Sequence, residues 1–265
     1  MSKAYYGILL SLFVIAACNK SNDGPDKPTM GTKSVVQRFL VENYTAHRAV
    51  NSPALTFRID SLKGFYGDQM TVVFVHAESF AAPSAEFPAD YRTPSGDELI
   101  AFWQALSIPS AMLNRADFPG NHWLYSNSLD TAVASASQQL SGAELQISAQ
   151  VSGGNLNCDI EVLYQYRHEG QYAVVLWILE DSLVSPQLTP AGVDSTYTHN
   201  NVLRASITDT SGDTLSIGTV NLNSPYQKAY TTVWNADWNE QNCSVVAFLY
   251  DLDTYEFIQV EEITL

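Results

Sequence analysis

The chain has 265 residues, of which 46% are hydrophobic and 15% are charged, so it is globular and long enough to form two domains. Its 13 basic and 28 acidic residues give a net charge of −15 at pH 7. Nucleic acids and anionic lipid head groups are bound through basic contacts, so this charge excludes nucleic acid as a partner.

The N-terminus has the pattern of a bacterial lipoprotein signal. Lys3 precedes the apolar run ILLSLFVIAA, which is shorter than the roughly 20 residues of a membrane-spanning helix. The sequence IAAC at residues 15–18 resembles a lipobox, in which cleavage before the cysteine frees a thiol that carries diacylglycerol. We therefore predict a signal peptide over residues 1–17 and a lipid anchor on Cys18. The alternative is an ordinary signal peptide with a chance cysteine.

Residues 18–33 are rich in Gly, Pro, Asn, Asp and Lys and have no periodicity. This composition predicts a flexible tether. A coil of about 15 residues spans roughly 20–25 Å, so the body of the protein is expected to lie close to its membrane.

Residues 34–142 alternate strand-like and helix-like patterns, which is typical of an α/β unit. The runs SVVQRFLVENYT and MTVVFVHA predict strands, the second of the kind buried in a central sheet. Ser52 and Pro53 predict a helix start, with Ser52 as the N-cap. The sequence SGDE at residues 95–98 predicts a capping box before a second helix. SIPSAMLNR predicts a third strand, and Asn121 is expected to begin a third helix.

The period changes from helical to alternating after Gly142. Eight strand-like segments separated by turn residues predict an antiparallel, immunoglobulin-like β-sandwich over residues 143–265. The fold class predicted for the whole chain is thus α/β plus all-β, with a domain boundary within a few residues of Gly142.

Cys158 and Cys243 remain as an even pair in an oxidising compartment once Cys18 carries lipid. The alternation around Cys158 places it on the core-facing side of its strand, whereas the alternation around Cys243 fits either face. With Trp177 between them, the order Cys–Trp–Cys resembles the pin of immunoglobulin domains, so a disulfide is one interpretation. Two separate buried thiols are the other.

From about Val35 to the C-terminus the chain resembles the outer-membrane-protein-twenty-eight family of envelope lipoproteins. The resemblance rests on six stretches in order: YTAHRAVNSPA, YGDQMTVVFVHAESFAAP, ADYRTPSGDEL, IPSAMLNRADF, YTHNNVLRASITDTSGD and VVAFLYDLDTYEFIQVEEI. It implies a thioredoxin-like first domain, a β-sandwich second domain, and a lipid-anchored protein of the outer membrane with no established activity.

Many members of that family carry C-x-x-C at the first helix start, and this chain has Ala49 and Ser52 at the two positions. Thiol–disulfide exchange needs an attacking thiolate and a second thiol that resolves the mixed disulfide. Neither alanine nor serine supplies one, so the motif is predicted to be degenerate and without redox activity. Pro109 falls where thioredoxin-like folds place a cis-proline facing this site, so the Ile108–Pro109 bond is predicted to be cis.

A hydrolase site and a metal site are two other interpretations of the residues around this helix start. Ser52 with His47 or His76 as a base would make a hydrolase, although helix capping is the plainer role for Ser52. His47, His76 and Glu78 lack the spacing of a metal site, and we predict neither a metal nor another cofactor.

Trp234 and Trp238, with Tyr226 and Tyr230, form either a sugar-stacking platform or ordinary packing between strands. Arg92 and Arg115 either bind an acidic ligand or pair with structural carboxylates, and the small number of basic residues favours the second interpretation.

These observations predict a binding or scaffolding module without redox activity, whose partner is a peptide, a protein or a glycan. A thioredoxin-like groove holds an extended peptide through main-chain hydrogen bonds beside the cis-proline, which need no cysteine. The alternatives are the hydrolase and a purely structural envelope or adhesion component. The candidate contact residues are His47, Arg48, His76, Ile108, Trp234 and Trp238.

Overall fold

The computed structural model describes Met1 and residues 35–265, apart from residues 106, 118–119, 121, 168 and 223–224. Cys18, the predicted tether and all but the first residue of the predicted signal peptide lie outside the described residues. Within the described part, no helix has the length and apolar character needed to cross a membrane.

The first half of the chain alternates strands and helices in the predicted order. Its elements are β1 (Phe39–Thr45), α1 (Ser52–Tyr66), β2 (Met70–His76), α2 (Pro94–Phe102), β3 (Ser110–Leu113) and α3 (Ser126–Ala136). β1 and β2 are parallel, and β3 runs antiparallel to β1 on its other side. Apolar side chains of α1 and α3 cover one face of these strands, and those of α2 cover the other.

The helix starts differ from the predicted ones for local reasons. Asn51 is the N-cap of α1, and Ser52 is the first helical residue, with its hydroxyl turned inward to Thr45. Thr93 caps α2 by accepting a hydrogen bond from the backbone N–H of Gly96, because a residue before proline favours the extended backbone of an N-cap. α3 begins at Ser126 rather than Asn121, since Leu124 first pairs with β3.

The second half consists of strands and begins at Ala143, immediately after Gly142. Its first six strands are β4 (Ala143–Ser152), β5 (Asn155–Tyr164), β6 (Glu169–Glu180), β7 (Leu183–Val184), β8 (Gln187–Thr189) and β9 (Gly192–Asp194). The other six are β10 (Thr198–His199), β11 (Val202–Ser206), β12 (Asp213–Thr219), β13 (Tyr226–Val233), β14 (Cys243–Asp251) and β15 (Phe257–Thr264).

Strands of the two halves share one sheet. The eight-stranded sheet has the order β15-β14-β6-β11-β2-β1-β3, with β12 also paired to β6. β11 joins the halves, because it is antiparallel to β6 and parallel to β2, where Val202 lies opposite Phe74. A three-stranded sheet, β13-β5-β4, faces the second-half strands across a buried apolar layer.

Cys158 and Cys243 are free and buried in this structure, which agrees with the interpretation as two separate buried thiols and not with the disulfide. Cys158 lies in β5 of the three-stranded sheet, where it packs in the core between the sheets. Cys243 begins β14 in the large sheet, opposite Glu180. Burial raises the pKa of the Cys158 thiol to about 11 and that of Cys243 to about 12, so both stay neutral at pH 7.

Candidate functional site

The degenerate redox positions lie in and beside the loop between β1 and α1. Ala49 and Ser52 are buried, and Ala49 packs with Ala46 and Ala81 in a small apolar cluster. Ile108 packs against the same cluster, and the Ile108–Pro109 bond is cis, which confirms that prediction. The structure therefore brings the loop before β3 to the start of α1.

His47 and Arg48, predicted as contact residues, are engaged in internal contacts. The buried His47 ring stacks on Phe87, and its Nε2 lies 3.3 Å from the carbonyl oxygen of Ala82. The Arg48 backbone N–H and guanidinium both donate to the carbonyl of Phe80, and the guanidinium also binds that of Ser79. Both residues thus hold the segment after β2 in place.

A strap of residues 181–200, which connects β6 to β11, closes over the same loop. The backbone N–H of Leu188 donates to the carbonyl of His47 at 2.7 Å. The side-chain amide of the buried Gln187 lies 3.5 Å from the carbonyl oxygens of both Ala46 and Ala49. Gln187 carries no local sequence signal, because its partners are 138 and 141 residues away along the chain.

His76 is 2% exposed and lies beneath α1, against the strap. Neither of its ring nitrogens has a hydrogen-bond partner among the described residues, and its ring packs on those of His199 and Tyr91. His76 and His199 line a cavity of about 20 Å³, which is enough for about one water molecule. Burial, followed by the nearby His199, holds the pKa of His76 well below its ordinary range. Burial also lowers the pKa of His199 to about 4.

The geometry does not assemble the serine–histidine pair of the alternative hydrolase interpretation. The Ser52 hydroxyl accepts a hydrogen bond from Thr45 at 2.9 Å, and no imidazole bonds to it in the described part of the chain. Among those residues, no group of three or more His, Cys, Asp or Glu side chains is placed to hold a metal ion. A hydrolytic site at Ser52 therefore lacks its base.

Trp234 and Trp238 pack in the second half. Their rings lie 5.4 Å apart at 90°, and both pack half-buried against the core between the sheets. The Arg204 guanidinium lies 5.7 Å from the Trp238 ring. These contacts agree with the packing interpretation, and the sugar-stacking role of the two rings stays a prediction.

Exposed apolar groups surround the buried Ala49 cluster. Val50 follows Ala49 and is exposed, and Phe80 precedes Ala81 and is 54% exposed. Ile108 and Pro109 are half-buried beside them. The backbone N–H and C=O of Ile108 have no hydrogen-bond partner among the described residues. We call Val50, Phe80, Ile108 and Pro109 the cis-proline patch.

The fold is similar to solved structures at low sequence identity. HBP35 of Porphyromonas gingivalis matches with a TM-score of 0.69 and 15% identity, over 88% of this chain and 76% of that one. A structural-genomics target protein from Agrobacterium tumefaciens matches with a TM-score of 0.51 and 11% identity, over 87% of this chain and 95% of that one. A domain of the outer membrane lipoprotein Omp28 from P. gingivalis matches with a TM-score of 0.35 and 17% identity, over 47% of this chain and 88% of that one.

No curated protein matches the sequence. The family described as "Outer membrane protein Omp28" matches residues 96–265, which is more than half of the chain. The matched residues include the last three of the six stretches in full, and the match agrees with the predicted family and outer-membrane location. The chain belongs to the Omp28 family of outer membrane proteins.

Proposed function

We propose that this outer membrane protein is anchored by lipid on Cys18 and binds an extended peptide segment without redox chemistry. Its first half, residues 34–142, is thioredoxin-like in this proposal, and residues 143–265 form an immunoglobulin-like sandwich. Three features support the first assignment: the parallel β1-α1-β2 crossover, the antiparallel β3 beside β1, and the cis-proline facing the start of α1. The shared sheet makes the second half a continuation of the first.

The unpaired backbone of Ile108 carries the peptide-binding proposal. An extended peptide laid beside Ile108 gains hydrogen bonds to this N–H and C=O, as a strand gains them from a sheet edge. Its apolar side chains then cover Val50 and Phe80. No thiol takes part, which fits a helix start with Ala49 and Ser52 in place of two cysteines.

The test is a screen of a random peptide library against the protein, followed by titration of the selected peptides. Replacing Phe80 by Asp is expected to weaken binding about 10- to 100-fold, because covering one large apolar side chain contributes about 1.5–3 kcal/mol. Phe57→Asp is the matched control, since Phe57 lies on α1 outside the patch and is 74% exposed. Equal losses in both variants, or no selected peptide, would contradict the proposal.

A scaffolding role without a peptide ligand is the second candidate. The contacts of Gln187 and Leu188 favour it, because they fix the loop of the degenerate motif to the second half. Under this alternative the cis-proline patch binds nothing, and Gln187→Ala only destabilises the fold. If that variant instead leaves stability unchanged and alters peptide affinity, the scaffold alternative fails.

Both candidate functions, peptide binding and scaffolding, differ from that of an ordinary thioredoxin in having no redox activity. In an insulin-reduction assay with dithiothreitol, the protein is expected to give only the background rate. Its two described thiols are buried, and neither lies near residues 49–52 in the fold.

A further inference from the structure

Three apolar side chains are exposed at the end of the body where the described chain begins. Val36, Phe65 and Leu140 are each more than half exposed, and Phe65 is 81% exposed. We call these three residues the tether-end patch. The peptide-binding proposal does not use them, because the cis-proline patch lies at the opposite end of α1.

A backbone bridge and two side-chain hydrogen bonds bring the segments that carry the patch into one region. Val36 and Leu140 form an antiparallel bridge. Gln69, which follows α1, donates to the backbone carbonyls of Gln37 at 3.2 Å and Ser137 at 2.9 Å. These bonds place the end of α1, with Phe65, beside the start of the body and the end of α3. Val36 and Gln69 also line one groove of about 440 Å³.

The position of the chain entry identifies what covers this patch. The carbonyl of Val35 accepts a hydrogen bond from the N–H of Ser141 at 2.8 Å, so the predicted tether joins the body next to Leu140. The tether predicted over residues 18–33 spans roughly 20–25 Å as a flexible coil, so the prediction places this end of the body near the lipid predicted on Cys18. Tethering of this kind gives the two surfaces an effective concentration in the millimolar range, so weak apolar contacts suffice.

We infer that the tether-end patch rests on the membrane surface, with Phe65 inserted at the boundary between head groups and acyl chains. Aromatic and aliphatic side chains are the groups that occupy this boundary. The net charge of −15 favours lipids with zwitterionic head groups and opposes both anionic lipids and pairing with a second copy of the chain. The inference depends on the anchor at Cys18 and is independent of peptide binding.

The test uses the full, lipidated chain in phosphatidylcholine vesicles, with a nitroxide spin label attached through Phe65→Cys. The natural thiols do not interfere, because Cys158 and Cys243 are buried and Cys18 carries the lipid. Val233→Cys is the matched control, since Val233 is 79% exposed. It lies opposite Asn155, at the far end of β4 from Ala143, about 30 Å away at 3.3–3.4 Å per residue.

We expect collisions of the label with a water-soluble nickel chelate to fall about tenfold at residue 65, relative to the unlipidated Cys18→Ser chain in buffer, and to change little at residue 233. Equal accessibility at the two positions overturns the inference. Spin–spin broadening at residue 65 also overturns it, because that result shows a second copy on the patch. A mass spectrum without lipid on Cys18 removes its basis.

Discussion

Arg115 and His76 are both buried basic residues, but Arg115 is charged in the folded protein and His76 is neutral. Arg115 is 1% exposed and His76 is 2% exposed. Burial alone would lower the pKa of Arg115, but the Glu42 carboxylate, 2.8 Å from its Nε, raises it above its ordinary range. His76 has no acidic partner, and burial keeps it neutral. The ordinary pKa of arginine is about six units above that of histidine, so Arg115 stays charged and is stabilised by a buried carboxylate, whereas His76 is buried in its neutral form.

Arg115 and His76 also differ in which parts of the protein they contact. The Arg115 guanidinium lies among four aromatic rings, 4.5–5.6 Å from their centroids. These rings belong to Trp103 of the first half and to Trp177, Phe248 and Tyr250 of the second. Arg115 is therefore a charged residue that contacts both halves, whereas His76 is a neutral residue that packs under the strap.

The largest expected effect comes from breaking the Arg115–Glu42 pair. Arg115→Met leaves the Glu42 carboxylate buried without a cation, which is expected to lower the free energy of unfolding by about 3–5 kcal/mol. Urea unfolding at pH 7 measures this loss.

The matched control is Arg92→Met, which removes a partly exposed pair with Asp90 at 2.8 Å. Such pairs contribute less than about 1 kcal/mol. If Arg92→Met lowers the free energy of unfolding as much as Arg115→Met does, burial of the Arg115–Glu42 pair does not explain the loss.

The second effect is a loss of stability in acid caused by the neutral histidines. The pKa of His199 is about 4 in the folded protein and about 6.5 when unfolded, so between these values the unfolded chain binds more protons. Stability is complete above pH 6.5 and falls as the pH drops toward 4, by about 2 kcal/mol at pH 5 for this residue. His76 acts in the same direction. Urea unfolding at pH 7 and pH 5 measures the change.

His199→Asn removes one titrating group and serves as the control. The difference in unfolding free energy between pH 7 and pH 5 is expected to shrink by the contribution of His199. An unchanged difference would mean that His199 does not contribute to the acid sensitivity.

The smallest expected effect on stability concerns the two buried thiols, because at pH 7 a cysteine thiol is neutral in the unfolded chain as well as in the folded one. Raising their pKa further leaves stability unchanged between pH 6 and 8. The measurable consequence is slow alkylation: iodoacetamide at pH 8 is expected to leave Cys158 and Cys243 unmodified in the native protein and to modify both in urea. Rapid labelling of the native protein would show that one of them is accessible.

Periodicity and composition predicted the parts of the fold that depend on neighbouring residues. The strands β1 and β2 and the change of pattern after Gly142 have local signals, whereas the cis bond at Pro109 was predicted from the family resemblance. The helix starts were displaced because longer contacts, such as Ser52 with Thr45, compete with capping.

The site could be predicted only in part because its partners are distant in sequence. Gln187 reaches Ala46 and Ala49 from the second half, and Arg115 meets Glu42 across 73 residues. The general expectation that Arg115 pairs with a carboxylate was confirmed, but no local pattern identifies which one. The shared sheet also has no local signal, since the bond between β11 and β2 is a single pair at Val202 and Phe74.

The pairing of β11 with β2 determines where the chain can be divided into fragments. β2 lies between β1 and β11, so a fragment ending at Gly142 exposes one side of β2 as an apolar, unprotected edge. Such an edge is a template for pairing with other chains, which makes the isolated first half prone to aggregate on expression. The compositional boundary at residue 142 is thus a change of architecture along the chain, and the large sheet extends across it.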